Sequence, residues 1–159
     1  MRRTYLVRHA KAESRSQFVG EDDLRPLDET GLIQARSLPD LLEVHGAPGR
    51  LLSSPARRCL GTLEPLSVLS GIVIEEAAWL AEGSDPIRAV EHLRLLEEER
   101  VAACTHGDVV WGILEWIARG GVEIGRRPDA AKASTWVLDW PDGSAEGVPV
   151  RATYLPPPG

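Results

Sequence analysis

Thr4-Tyr5-Leu6-Val7-Arg8-His9-Ala10-Lys11-Ala12-Glu13 is the stretch that decides the fold. Tyr5, Leu6 and Val7 form a short β-prone apolar run, the pattern of a central strand buried on both faces, and polarity switches abruptly at Arg8. Arg8 and His9 are therefore expected at the carboxyl end of a strand. In open α/β sheets that edge is where ligands bind.

Downstream, Ser14 to Pro26 is polar, contains Gly20, Glu21, Asp22 and Asp23, and reads as a loop that leaves the sheet edge and borders a site there. Asp28 or Thr30 then caps a helix in which Leu32, Ala35, Leu38, Leu41 and Leu42 recur at helical spacing up to His45-Gly46, with a bend expected at Pro39. Arg50 to Ser53 reads as a second strand, and Ser54-Pro55 as a helix start, a capping hydroxyl with a first-turn proline. Ala56, Cys59, Leu60, Leu63 and Leu66 supply that helix's buried stripe. Ile72 to Glu75 is a third strand, and Asp85-Pro86 opens a helix with Ile87, Val90, Leu93 and Leu96 inward. Val101 to Thr105 is the next strand, followed by His106-Gly107-Asp108 and a helix carrying Val110, Ile113, Leu114 and Ile117 to Gly120-Gly121. Ser134 to Trp140 and Val148 to Leu155 form a closing pair of strands across Pro141-Asp142-Gly143. Such alternation predicts a three-layer α/β/α sandwich with a mostly parallel central sheet: one domain over residues 1–155, with Pro156 to Gly159 a disordered tail.

Composition narrows the class. A chain of 159 residues, 43% hydrophobic, is long enough for one packed domain. Its formal net charge of −6, with no basic run, argues against general nucleic-acid binding. An anionic ligand therefore needs a locally positive pocket. Cys59 and Cys104 lie in apolar segments and read as reduced core thiols. With neither a signal-peptide pattern nor a membrane-length apolar run, the expectation is a cytoplasmic protein that uses no membrane.

The residues expected at the sheet edge are chemically coherent. Arg8-His9, Ser53-Ser54 with Arg58 a turn later, and Thr105-His106 all follow strand ends, so three segments converge there by topology. Two arginines, Lys11, two histidines and the helix starts after Ser54 and His106 suit a phosphate group, since arginine forks match its oxygens bidentately and helix amino ends present free N–H groups. A neutral imidazole among them can attack phosphorus and carry the phosphoryl group covalently. The loop carboxylate Glu82 is available to protonate a leaving oxygen, with Asp85 as the second candidate. Metal catalysis is poorly supported, because the four histidines form no close ligand pair and the cysteines are far apart. No cofactor is expected.

These motifs resemble those of the histidine phosphatase superfamily, in the family's own order and over most of the chain. Arg8-His9-Ala10 resembles its Arg-His-Gly signature, Leu27-Asp28-Glu29-Thr30-Gly31 with Gln34-Ala35 its next block, Ser53-Ser54-Pro55-Ala56-Arg57-Arg58-Cys59 with Thr62 its second arginine motif, and Thr105-His106-Gly107 its second histidine motif. The resemblance implies a phosphoglycerate mutase-like fold, His9 as the phosphorylated nucleophile, and Arg8, Arg58 and His106 as holders of the phosphoryl oxygens. It selects Arg58 over Arg57 by the spacing from the proline, and assigns Glu82 to the general-acid position by loop placement. Ala10 departs from the signature glycine, a small change wherever positive φ is not required. Lys11 adds a charge suited to a polyanion or second phosphate.

Within the family the chain is short, without the insertions that cap mutases and phytases. Arg25-Pro26-Leu27 is similar to a block of the SixA-type phosphohistidine phosphatases. Ser14-Arg15-Ser16 and Lys132 to Leu138 are similar to stretches of the histidine-phosphatase domain that follows a Nudix domain in actinobacterial nucleotide hydrolases, which implies a chain working alone or with a separate Nudix-type partner. The expected function is a metal-independent phosphatase acting on phosphohistidine in a protein, on a nucleotide or polyphosphate, or on another phosphorylated small molecule. The alternative is a catalytically weak phosphoanion-binding regulatory module. Among the remaining residues, Lys132 and Ser134 read as the start of a strand, His92 as solvated, and Trp79 as the one tryptophan near enough to Glu82 to wall a substrate.

Overall fold

The computed structural model describes residues 1–125, 128–142 and 147–159. In chain order its elements are β1 (Arg2–Arg8), α1 (Glu29–His45), β2 (Arg50–Ser53), α2 (Arg57–Ser70), β3 (Ile74–Glu76), α3 (Pro86–Leu95), β4 (Arg100–Thr105), α4 (Gly107–Arg119), β5 (Thr135–Trp140) and β6 (Arg151–Leu155), with short 3-10 turns at Asp22–Leu24 and Ala78–Leu80. The strands form one sheet in the order β3-β2-β4-β1-β5-β6. β3, β2, β4 and β1 run parallel, while β5 is antiparallel to both β1 and β6.

Side-chain alternation divides the core between the two faces of this sheet. Leu6, Leu52, Val101, Ala103 and Trp136 pack with Val90, Leu93, Val110 and Ile113 of α3 and α4. Tyr5, Val7, Leu51, Ala102 and Cys104 pack with Leu38, Leu42, Cys59 and Leu63 of α1 and α2 on the opposite face. The result is the expected three-layer α/β/α sandwich, built because the central strands are apolar on both sides. Among the described residues no helix is long and apolar enough to cross a membrane.

Several local expectations need correction. Ser54 does not cap α2: the helix starts at Arg57, with Ala56 at its N-cap, and the Ser54 hydroxyl is engaged elsewhere. β3 lies two residues later than the apolar run Ile72-Val73 suggests, and Ile87 of α3 is exposed while Ala89, Val90 and Leu93 face the core. α1 runs without interruption through the buried Pro39. β5 begins at Thr135 and β6 at Arg151; of the connecting turn, Gly143 lies outside the described residues. The terminal prolines are not loose, since Pro157 and Pro158 are half-buried and the final residue runs beside Ile33 and Ser37 of α1.

Parallel register aligns the strand ends that matter. Arg8 pairs with Thr105 and Ser53 with Cys104, and the pairing continues one step further through His9 N–H to the Thr105 carbonyl (3.0 Å) and Ser54 N–H to the Cys104 carbonyl (2.9 Å). Just beyond, Lys11 packs against the start of α1, which the intervening loop brings back to it. Asp28 N–H donates to the Lys11 carbonyl at 3.0 Å, the Asp28 carboxylate caps Gly31 N–H at 2.8 Å, and Gln34 Oε1 accepts from Lys11 N–H at 3.1 Å. Gly31 is compelled by this approach, because a Cβ there would stand 1.9 Å from the Lys11 carbonyl oxygen. Gly31→Ala is expected to destabilise the fold by about 3 kcal/mol, the upper range for overpacking. Denaturant unfolding checks this, with a lower midpoint at unchanged slope.

Candidate active site

His9 sits one residue past the end of β1, buried to 6% exposure. Its Nδ1 lies 2.8 Å from the Ala10 carbonyl oxygen. A carbonyl only accepts, so Nδ1 carries the proton and Nε2 keeps its lone pair. Burial, reinforced by the neighbouring His106 ring and the charges of Arg58 and Arg8, pushes the His9 pKa down to about 3, against the raising effect of its bond to Ala10. The ring is therefore a neutral base with a fixed tautomer. Ala10 itself is fully buried, donates its N–H to Thr62 Oγ1 (2.9 Å), and does not adopt positive φ, so alanine is accommodated where the signature has glycine.

His106 lies against His9, ring centroids 5.4 Å apart at 65°. Its Nδ1 faces Arg58 Nη2 at 3.4 Å, a group that only donates, which assigns the proton to Nε2. That Nε2–H points to Ser54 Oγ at 2.8 Å, with Cys59 Sγ at 3.5 Å. Ser54 thus orients the second histidine.

Arg58 is fully buried. Its Nη1 donates to the Asp22 carbonyl (2.9 Å) and its Nη2 meets the carboxylates of Glu82 (3.1 Å) and Asp22 (3.2 Å). Arg8 donates from Nη1 to the Ala130 carbonyl at 2.7 Å; burial lowers its pKa and the charges of Asp129 and Asp108 oppose that. Among the described residues, the Nε–H groups of Arg8 and Arg58 are both buried without a partner. Two such donors beside a neutral histidine suit an anion. Gly107 permits the arrangement, since a Cβ at that position would lie 2.8 Å from Arg8 Cζ.

A cleft of about 970 Å³ opens over His9 and Arg8, bordered by Lys11, Arg15, Arg25, Glu82, Trp111 and Lys132. Arg58 is not part of its wall, because the Glu82 and Asp22 carboxylates cover the guanidinium. Glu82 also bonds Arg15 (3.0 Å). Asp22 is held below its ordinary pKa: burial acts to raise it, but Arg25, Arg58 and Arg15 outweigh that. Lys11 reaches the cleft and lies 3.7 Å from Asp28. Asp85, the second acid candidate, instead caps α3 by accepting from Ile87 N–H at 2.9 Å and faces a separate hollow. Trp79 is also away from the cleft, stacked on His92 at 4.6 Å, so the aromatic side chains at the cleft wall are Trp111 and Phe18. Trp111 was legible as a tryptophan outside the buried stripe of α4; Asp22 had only the acidic loop to mark it. Among the described residues no cluster suits a metal ion.

Residues 4–84 match the family described as the histidine phosphatase superfamily (branch 1). The chain belongs to that superfamily. The 8-oxo-(d)GTP phosphatase of Mycolicibacterium smegmatis is 34% identical over 158 residues, covering 96% of this chain and 48% of that protein. The chain thus spans about half the length of this curated relative. The solved protein histidine phosphatase SixA complexed with tungstate superposes with a TM-score of 0.74 at 18% identity, covering 98% of this chain and 96% of that one. A candidate phosphohistidine phosphatase SixA from Agrobacterium tumefaciens gives 0.70 at 25% identity, covering 87% and 91%. The phosphoglycerate mutase-like fold is thereby established.

The depressed His9 pKa has a stability consequence. Folded His9 stays neutral down to about 3, whereas the unfolded side chain titrates near 6.5, so between these values the unfolded chain binds the extra proton. Stability from this group is fully present above the upper value and is lost as pH falls toward the lower, with a slope of up to about 1.4 kcal/mol per pH unit. Guanidinium unfolding between about pH 4 and 7 is expected to show that slope in the wild type relative to His9→Gln, which lacks the titrating ring.

Proposed function

We propose that this phosphatase is metal-independent and works through a phosphohistidine on His9, with phosphohistidine proteins, nucleotides and other phosphate-bearing small molecules as its candidate substrates. The observation that carries the reading is the His9 tautomer: Nδ1–H donating to Ala10 leaves Nε2 as the nucleophile in a pocket of unsatisfied arginine donors. Nε2 attacks phosphorus, the new N–P bond forms, and the bond to the leaving atom breaks with its electron pair going to that atom, an oxygen in a phosphate ester or anhydride and a ring nitrogen in a phosphohistidine substrate. The imidazole becomes cationic, and the Ala10 carbonyl stabilises the retained Nδ1–H.

Arg8 and Arg58 neutralise charge on the three phosphoryl oxygens, which in the resting protein means that the substrate takes Arg58 from Glu82. His106 keeps its Nε2–H on Ser54 and takes up a solvent proton at Nδ1 to donate to a phosphoryl oxygen. Glu82, released from Arg58, takes up a solvent proton and as the neutral acid gives it to the leaving group. It then takes a proton from water, which attacks phosphorus, breaks the N–P bond and regenerates neutral His9 as phosphate departs. Glu82 carries this role better than Asp85, whose carboxylate is committed to the α3 cap. The similarity to an 8-oxo-(d)GTP phosphatase supports a nucleotide substrate, and the SixA neighbours support the fold that presents it.

Phosphate release in the presence of chelator tests the mechanism. His9→Ala is expected to fold and to lose turnover by at least about a thousandfold, and acid-labile phosphate is expected to appear on wild-type protein quenched during turnover. Tight binding of phosphorylated ligands by a wild type that releases no phosphate would instead establish the regulatory-module alternative.

A further inference from the structure

The cleft is much larger than one phosphoryl group, and its outer wall carries cations that the reaction at His9 does not use. Lys132 is the clearest. It makes no salt bridge among the described residues, although the neighbouring Lys11 pairs with Asp28. The turn presenting it is unusually well tethered. Ala133 holds φ at 67°, the one non-glycine in the left-handed region among the described residues, and its N–H is shared between the carbonyls of Arg8 and His9 at 3.1 Å each. Arg8 N–H returns to the Ser134 carbonyl (3.0 Å), and Arg8 Nη1 to the Ala130 carbonyl (2.7 Å). A non-glycine residue in this region costs on the order of 1–2 kcal/mol and persists only where its surroundings hold it. Here the strain fixes a lysine on the wall of the cleft that also holds His9.

The neighbours of that lysine repel it. Burial and the positive charges of Arg8, Arg25 and Lys11 lower the Lys132 pKa, with Asp28 acting the other way. Like charges held together across an open cleft favour an anionic occupant.

We propose that Lys132, with Lys11 opposite it, forms a second phosphate subsite next to the His9 pocket, so that the preferred ligand carries two adjacent phosphates joined as an anhydride. This rests on His9 and its arginines forming the phosphoryl pocket, and it specifies the substrate class that the pocket serves. The terminal phosphoryl group sits at His9 while the penultimate phosphate lies on the lysines. Nε2 attacks the terminal phosphorus, the bridging P–O bond breaks, and the electron pair stays on the bridging oxygen, now a terminal oxygen of the departing phosphate held by Lys132. An anhydride leaving group needs less help from Glu82 than an alkoxide does. Two sources share this chemistry, inorganic polyphosphate and a nucleoside diphosphate or triphosphate, and Trp111 on the rim favours the second by offering a face to a base.

The test is calorimetric binding to His9→Ala protein in chelator, where ligands are not consumed. Pyrophosphate is expected to bind at least about tenfold tighter than orthophosphate, Lys132→Ala to reduce that ratio below about threefold, and Lys132→Arg to restore it. Lys132 is exposed, so these variants leave the core intact. A nucleoside diphosphate binding tighter still, with the gain lost in Trp111→Ala, identifies the nucleotide; equal binding of pyrophosphate and the nucleotide identifies polyphosphate. An unchanged ratio in Lys132→Ala overturns the subsite while leaving the His9 pocket standing. Failure of both orthophosphate and pyrophosphate to bind overturns the pocket as well.

Discussion

A fully buried guanidinium organises the active-site half of this molecule. Arg58 enters on the first turn of α2 and reaches no solvent. An ion that far from water is tolerated only with counter-charges and hydrogen bonds around it, and stripping a buried pair of one partner costs about 3–5 kcal/mol. The chain answers with Asp22, which supplies both carbonyl and carboxylate, and with Glu82. Asp22 in turn is gripped by Arg25 and Arg15. The polar loop after β1 therefore has a defined shape because one arginine needs it. Glu82 and Asp22 still reach solvent, so their attraction to Arg58 is screened at the outer side. That makes them displaceable by a more highly charged anion.

A second constraint is the crossing at the end of β1, where two loops converge on four consecutive residues. Arg8 and His9 give their carbonyls to Ala133, Ala10 gives its N–H to Thr62, and the Lys11 carbonyl receives the start of α1. Each bond uses backbone that the sheet no longer pairs. The His9 backbone is consequently held from several separate elements, and the ring's tautomer by its own neighbour. Pre-organisation of this kind is what an attack on phosphorus requires, since the protein contributes little bond chemistry of its own beyond the histidine.

The architecture was largely legible because the strands are apolar on both faces and are separated by clear helical periodicity. The convergence of Arg8, His9, Arg58 and His106 followed from strand order, since residues just past parallel strand ends must share an edge. Ser54 was misread because a serine before a proline looks the same whether it caps a helix or orients a histidine from another strand. Asp85 and Glu82 could not be separated by sequence distance; the backbone spends Asp85 on capping α3. Trp79 illustrates the same limit. It is close to Glu82 along the chain, yet the 3-10 turn at Ala78–Leu80 directs it toward His92 and away from the cleft. Lys132 read as the beginning of a strand because nothing in its neighbours' identities announces a left-handed alanine.

Charge placement reconciles an acidic chain with an anionic ligand. The formal net charge of −6 is a property of the whole surface. The field inside a cleft is set by groups within a Debye length of about 8 Å and by the low-dielectric walls that focus them. Arg8, Lys11, Arg15, Arg25 and Lys132 all border one cleft, and among the described residues the buried Nε–H groups of Arg8 and Arg58 have no partner. Glu13, Asp28, Glu82 and Asp108 line the same cleft, with Asp28 paired to Lys11 and Asp108 accepting from Gly83 N–H, while Glu82 and, outside the lining, Asp22 are bound to Arg58. These last two act as internal counter-ions that a phosphoryl dianion outcompetes, because it brings three oxygens and twice the charge to the same donors. In the proposed reaction that exchange has a directional result: the event that fills the arginine pocket also frees Glu82 from Arg58, so the carboxylate can take up a solvent proton and pass it to the leaving group only when a substrate is present.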